Sequence, residues 1–384
     1  MTRASTRTAT RWGSPHSGGR SGILQALAIG AQLPDPGAGL ECFKEITPTL
    51  LARAEAMLAA DGVTVQVDPS RRDLFVDCRV QGTEGTGRAV IEGEHTRLIR
   101  LERDGAAVPL PGGDGDTADP GSGPVREALA ALSFHGLIAL AESLQPADAE
   151  RLNEGIAMNV AIARHGLTLF PRRFIQLTGN DLESQLSRLV CAGVYARMSG
   201  EDLPVMSLAG SGNKGITTTV PLHLWAEAQG IDETRTLSGL ALALLVTSAT
   251  THHLGTLSAV CGCSNAAGIG LAAGLVYLEE GDEEAMSLAL NNMVGNVSGM
   301  ICDGAKIGCA LKTMTSVDAA FRAMSLALSG IGIPVSDGIV GRNGVESLRN
   351  LGRIATNGMT TMDTEILEIM EEKLRDGSMR GGTR

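Results

Sequence analysis

Four of the seven cysteines in this 384-residue chain fall in two short stretches, Cys261-Gly262-Cys263-Ser264-Asn265 and Cys302-Asp303-Gly304-Ala305-Lys306-Ile307-Gly308-Cys309. Thiolates are soft donors suited to iron–sulfur clusters and zinc. Each pair borders a small-residue run of helical character, so two helix ends could bring three or four sulfurs to one centre. Gly262 and the Ser264-Asn265 pair place Cys263 at an expected helix start, where the helix dipole favours the thiolate. Met300-Ile301 is expected to carry a helix into Cys302, with Asp303-Gly304 ending it and Cys309 returning beyond a tight turn. Lys306 and Lys312, in and just after that turn, are cations that would offset thiolate charge. Three readings stay open. The cysteines could be inert buried side chains. They could close a structural zinc site, although their spacings do not match paired zinc knuckles. Or three of them could hold an iron–sulfur cluster with one open iron, leaving one of Cys261 and Cys263 spare.

A second candidate is Gly210-Ser211-Gly212-Asn213-Lys214-Gly215, whose glycines allow backbone N–H groups to converge on a carboxylate. A tight inter-helix turn would use the same residues. His95-Thr96, expected in a strand, could orient a substrate or be structural. His252-His253 reads as a capping or solvated pair.

These residues need elements to carry them. Hydrophobic residues make up 43% of the chain and aromatics only 3%, with 49 glycines, so the core must be small aliphatic side chains on closely packed helices. The net charge of -11 argues against a nucleic-acid partner. No run approaches the ~18 apolar residues of a membrane span. An odd cysteine count without a secretory signal points to a reducing cytoplasm. Residues 1–20, basic and rich in Ser and Thr, are expected as a disordered N-terminus. Residues 21–123 form an expected small α+β domain. It has a helix near 38–60, capped by Thr47 with Pro48 at its first position. It also has four antiparallel strands at Val63–Val67, Leu74–Val80, Arg88–Ile91 and Arg97–Arg103, separated by Asp-Gly and Glu-Gly turns. A Gly/Asp/Pro-rich linker, Pro109–Gly123, leads into a larger helical domain, 124–384, with expected helices including Val125–Leu144, Val220–Gln229, Ser264–Glu279, Glu283–Gly299, Ser316–Leu328 and Met362–Arg375. The fold class is therefore α+β.

Leu257-Ser-Ala-Val-Cys261-Gly-Cys263, Gly295-Asn-Val-Ser-Gly-Met-Ile-Cys302-Asp-Gly-Ala-Lys306 and Gly308-Cys309-Ala-Leu-Lys312 resemble the L-cysteine desulfidase family, itself related to the alpha part of iron–sulfur L-serine dehydratases. Pro204 to Ile216 is similar to that family's Gly-Ser-Gly-Asn-Gln-Gly-Ile stretch, with Lys214 in place of Gln, and Ile91-Glu-Gly-Glu-His95-Thr96 also fits. The resemblance implies iron–sulfur-dependent β-elimination of L-cysteine to pyruvate, ammonia and hydrogen sulfide. It implies a [4Fe-4S] cluster with one open iron, held by Cys263, Cys302 and Cys309, with Cys261 as the alternative ligand. Ser211, Gly212, Asn213 and Thr96 would bind substrate, and His95, Lys306 and Lys312 would serve the chemistry. The partner is then a small amino acid, with neither nucleic acid nor membrane, and a homodimer is left open. L-Serine could replace L-cysteine on the same cluster. The family's Gly-Cys-Thr-Glu-Pro motif has no match here, since Leu40-Glu-Cys42-Phe-Lys44 is not that motif, so a non-catalytic zinc- or cluster-binding protein is the rival expectation. A pyridoxal-phosphate lyase, suggested by the Ser-Gly-Asn stretch, would leave the four cysteines unexplained.

Overall fold

Two Gly-containing turns set the register of a four-stranded antiparallel sheet in the computed structural model of the chain, which describes residues 1–3, 5–6, 14–68, 70–71, 74–110, 122–173 and 179–375. The strands β1 (Phe75–Gly82), β2 (Gly85–Glu92), β3 (Leu98–Arg103) and β4 (Ala106–Ala107) neighbour one another in chain order. Gly82 faces Gly85 across the first turn. Asp104 and Gly105, with φ of 51° and 80°, form the second, the left-handed pair that a two-residue hairpin prefers. The expected strand Val63–Val67 is not part of the sheet. The backbone of Gln66 and Asp68 bonds to Met1 instead, and Val63 packs on the cluster formed by α1 (Ile23–Gly30) and α2 (Pro48–Ala59). That cluster is built on Ala28, Ile29, Leu50 and Ala54. Thr47 caps α2 by accepting from the Leu50 N–H at 3.2 Å.

The chain divides into two compact units. The smaller comprises Met1–Asp119, Asp303–Lys306 and Thr356–Arg384, and the larger Pro120–Cys302 and Ile307–Ala355. The terminal helix α13 (Met362–Arg375) thus groups with the smaller unit. The expected linker falls mostly on 111–121, and part of the expected disordered N-terminus on 4 and 7–13, outside the described residues. Ser14 to Arg20 forms bonded turns around a buried Ser17.

The larger unit contains α3 (Ser122–Ala131), α4 (Phe134–Ala141), α5 (Pro146–Thr168), α6 (Leu182–Ser199), α7 (Gly212–Gln229), α8 (Glu233–Leu254), α9 (Asn265–Leu278), α10 (Glu283–Val297), α11 (Cys309–Leu328) and α12 (Gly344–Arg353). One helix was expected across α3 and α4. Ser133 splits it, because its hydroxyl accepts from the Gly136 N–H and starts a new helix. The two halves bend by 120°. Among the described residues α8 is long and apolar enough to cross a membrane, with 72% of that stretch buried inside the protein.

At the centre runs α9, buried on all sides save at Tyr277. Its glycines explain how. A side chain at Gly268 would begin 2.0 Å from Ser316 Oγ, one at Gly270 2.1 Å from Thr247 Oγ1, and one at Gly274 2.3 Å from Leu222 Cδ1. Each glycine therefore receives a different neighbour, α11, α8 and α7 in turn. A helix packed all round has no polar stripe.

Candidate metal centre

The two cysteine stretches meet through a short piece of antiparallel pairing. Val260 bridges Ile301. The Cys261 N–H donates to the Met300 carbonyl and the Cys302 N–H to the Ala259 carbonyl, both at 2.8 Å. Asn265 locks the junction by donating Nδ2 to the carbonyls of Cys261 and Met300, at 3.2 and 3.4 Å. Cys302 is therefore held by an extended segment and not by a helix end, since α10 stops at Val297. Cys263 lies just ahead of α9, as expected. Cys309 is the first residue of α11, a helix that begins well before the expected Ser316. The Ser316 hydroxyl donates to the buried Ser264 carbonyl at 2.6 Å and ties α11 to the start of α9. Lys312 donates to the Ile301 carbonyl at 3.0 Å, beside Cys302.

The Gly210–Gly215 stretch arrives from another direction. Ala209 and Gly210, with φ of 46° and 80°, turn the chain so that Leu208 and Ser211 exchange both backbone bonds at 3.0 Å. Ser211 then starts α7. Its hydroxyl makes no cap bond and lies 3.3 Å from Cys263 Sγ. The helix was expected only from Val220, with the glycines ahead of it open to reading as a tight turn. Instead Pro221 sits inside α7, and the glycines serve close packing. A side chain at Gly212 would meet Arg197 Nε at 2.5 Å, and one at Gly215 would meet the Met206 carbonyl oxygen at 2.0 Å. Asn159, fully buried, accepts from the Met206 N–H and donates to Thr219 Oγ1, both at 3.0 Å, fixing the segment that leads into the turn.

Two cations face the thiols from α6 and α7. Arg197 donates to Asn213 Oδ1 at 3.1 Å. Lys214, 4% exposed, donates to Thr251 Oγ1 at 3.0 Å and to the Ala209 carbonyl at 3.1 Å. Burial lowers the pKa of both, to about 8 for Lys214, and nearby thiolates oppose the shift: Cys263 for both, with Cys309 for Arg197 and Cys261 and Cys302 for Lys214. Arg126 adds a further positive charge near Lys214. The Cys263 thiol is pulled below its ordinary value, chiefly by a hydrogen bond from Cys261 and further by Lys214 and Ser211, against burial. Cys261 is pushed up by that same contact. Of the two, Cys263 is the one held toward the thiolate. Arg197 escaped sequence reasoning. A charged residue inside an otherwise small and apolar helical run was the available signal.

The remaining expected residues belong to other elements. His95 and Thr96 are exposed in the β2–β3 turn of the smaller unit, and not in a strand. Lys306 belongs to the same unit, with Nζ 3.9 Å from Met370 Sδ. His252 and His253 end α8, their rings 5.6 Å apart, and burial holds His253 down at about 4. A cleft of about 490 Å³ lies apart from the cysteines, between Phe134, Glu283, Ser287 and Arg342.

Among the described residues no three His, Cys, Asp or Glu side chains converge on a single ion. A closed tetrahedral zinc needs such convergence. A cluster asks for something else, one thiolate for each of several irons at separate corners. Soft sulfur donors on two segments, with cations behind them, fit that requirement.

A sequence model of the serine dehydratase alpha chain matches residues 79–368. The chain is 37% identical to a UPF0597 protein of Geobacter sulfurreducens over 94% of its own length and 85% of the relative's. It is 33% identical to one from Caldanaerobacter subterraneus subsp. tengcongensis, over 92% and 84%, and 34% identical to one from Desulfotalea psychrophila, over 94% and 86%.

Proposed function

This chain belongs to the serine dehydratase alpha-chain family, and from that premise we propose that it is a carbon–sulfur lyase converting L-cysteine to pyruvate, ammonia and hydrogen sulfide. The observation that carries the reading is the contact between Ser211, at the start of α7, and Cys263, the cysteine held toward thiolate. It brings the stretch proposed to bind substrate against the one proposed to bind metal. Cys263, Cys302 and Cys309 would hold a [4Fe-4S] cluster, with Cys261 as the alternative ligand. When bound, such a cluster with one open iron supplies a Lewis acid for the leaving sulfur.

The chain's own residues supply the rest. The first-turn N–H groups of Gly212 and Asn213 have no intrahelical acceptor and lie at the positive end of α7, where a substrate carboxylate is stabilised. Arg197 holds the Asn213 side chain in place. Lys312 holds the backbone beside Cys302. Lys306, His95 and Thr96 are assigned electrostatic and substrate-orienting roles on the family resemblance. Loss of the α proton and rupture of the Cβ–S bond leave aminoacrylate, which tautomerises and hydrolyses in water to pyruvate and ammonia. None of the seven cysteines is in a disulfide, in keeping with the reducing, cytoplasmic setting proposed for the protein.

The family's own description favours a second substrate, L-serine, with hydroxide as the leaving group. Sulfide released from L-cysteine and pyruvate released from L-serine, measured on the same anaerobically purified protein, decide between them. Faster turnover of L-serine would replace L-cysteine in this reading, and no turnover of either would end it.

A further inference from the structure

Lys214 is the third residue of α7, yet its side chain folds back beyond the helix start to reach the Ala209 carbonyl at 3.1 Å. A second donor meets Thr251 Oγ1 at 3.0 Å. The Thr251 hydroxyl is itself committed to the Thr247 carbonyl at 2.8 Å, so it presents a lone pair to the amine. An ammonium carries three donors. Among the described residues no acceptor meets the third. A side chain on Gly262 would begin 3.2 Å from Cε and 3.6 Å from Nζ, so glycine there makes room for the lysine to pack beside Cys261 and Cys263. Ala209, whose carbonyl helps hold the amine, has a φ of 46°, a conformation that is strained for a residue with a side chain. Ser211 Oγ stands at the same helix end, where first-turn N–H groups such as those of Gly212 and Asn213 have no intrahelical acceptor. An almost fully buried cation with an unmatched donor, placed where a helix already favours negative charge, is built for an anion.

The geometry points to Lys214 as the residue that holds the α-carboxylate of the substrate. The site then accepts small α-amino acids with a free carboxylate and discriminates against their amides and esters. This inference rests on the β-elimination reading above. A glutamine at this position has two amide donors, enough for Ala209 and Thr251, but brings neither the third donor nor the charge.

The test compares the holoprotein with Lys214→Gln on L-cysteine and L-cysteinamide. The wild type is expected to prefer L-cysteine by roughly 10- to 100-fold in kcat/KM, the worth of one charge-assisted hydrogen bond. Lys214→Gln should lose that preference through a raised KM for L-cysteine, with kcat and both constants for the amide held. Lys214→Met should behave alike, with iron content and circular dichroism unchanged. Equal losses on both substrates, or an unchanged preference, overturn the assignment. Calorimetric titration with L-alanine, which has the carboxylate but no leaving group, reads binding without chemistry. The wild type should bind it more tightly than L-alaninamide, and Lys214→Gln should abolish the difference. If L-alanine binding depends on Lys214 while neither L-cysteine nor L-serine reacts, the lyase reading falls and the carboxylate site stands. If elimination proceeds but neither KM nor L-alanine binding responds to Lys214, this inference falls alone.

Discussion

Removing the Lys214 charge should make the metal-free protein more stable at neutral pH, an unusual outcome for a buried residue with two hydrogen bonds. Burial brings its pKa from the ordinary 10.5 to about 8. At about 1.4 kcal/mol for each pH unit, the ammonium costs the fold roughly 3 kcal/mol at pH 7. The sign follows from proton counting. Between pH 8 and 10.5 the unfolded chain still binds a proton that the folded chain has released, so stability rises with pH through that window. Below pH 8 both states are protonated and the full penalty applies. Lys214→Met has no such titration. Urea unfolding of the metal-free proteins should show the variant gaining on the wild type at pH 7, with the gap shrinking by about 2–3 kcal/mol by pH 10. Cys263 loses a neighbouring cation in the variant and titrates nearby. The same comparison in a Cys263→Ser background removes that contribution. Parallel pH dependences for wild type and Lys214→Met in that background would refute the claim that a charge is buried here.

Gly215→Ala should destabilise the protein by about 1–3 kcal/mol and lower Tm by several degrees, because the new methyl must lie 2.0 Å from the Met206 carbonyl oxygen; an unchanged Tm would show that the Met206 segment is not held as described. The His253 ring, kept neutral by burial with His252 and Arg349 nearby, has its pKa lowered from 6.5 to about 4. The unfolded chain takes up a proton in that range that the folded chain refuses, so stability should fall as pH drops from 6.5 toward 4. His253→Gln should flatten that slope in acid unfolding followed by circular dichroism, and an identical slope would contradict it. Cys261→Ser should keep iron and sulfide close to wild type, whereas Cys263→Ser should lose most of both on purification; the reverse ranking would exchange the two roles.

Much of the small unit was legible because its signals are local. Alternation in residues 74–103 and the Asp104-Gly105 turn specify neighbours a few residues apart. Val63–Val67 has the same alternation but finds its backbone partners at Met1, a distant segment that no local rule reveals. The large unit was harder. Asn265–Leu278 is buried on nearly every side, so it offers length and small residues but no amphipathic period. The start of α7 was hidden because Gly212 and Gly215 are also turn formers, and only the approach of Arg197 and Met206 shows why glycine is needed there. At the candidate centre the cysteine grouping was visible as spacing. The Val260–Ile301 bridge that joins the two halves, and the buried cations Arg197 and Lys214 behind them, depend on contacts between helices far apart in sequence.

The central claim, that these cysteines hold a catalytic iron–sulfur cluster, is most directly tested by iron, zinc and acid-labile sulfide analysis of anaerobically purified protein. The account predicts about four irons and four sulfides per chain, falling together in Cys263→Ser, Cys302→Ser and Cys309→Ser. Stoichiometric zinc without sulfide would contradict it.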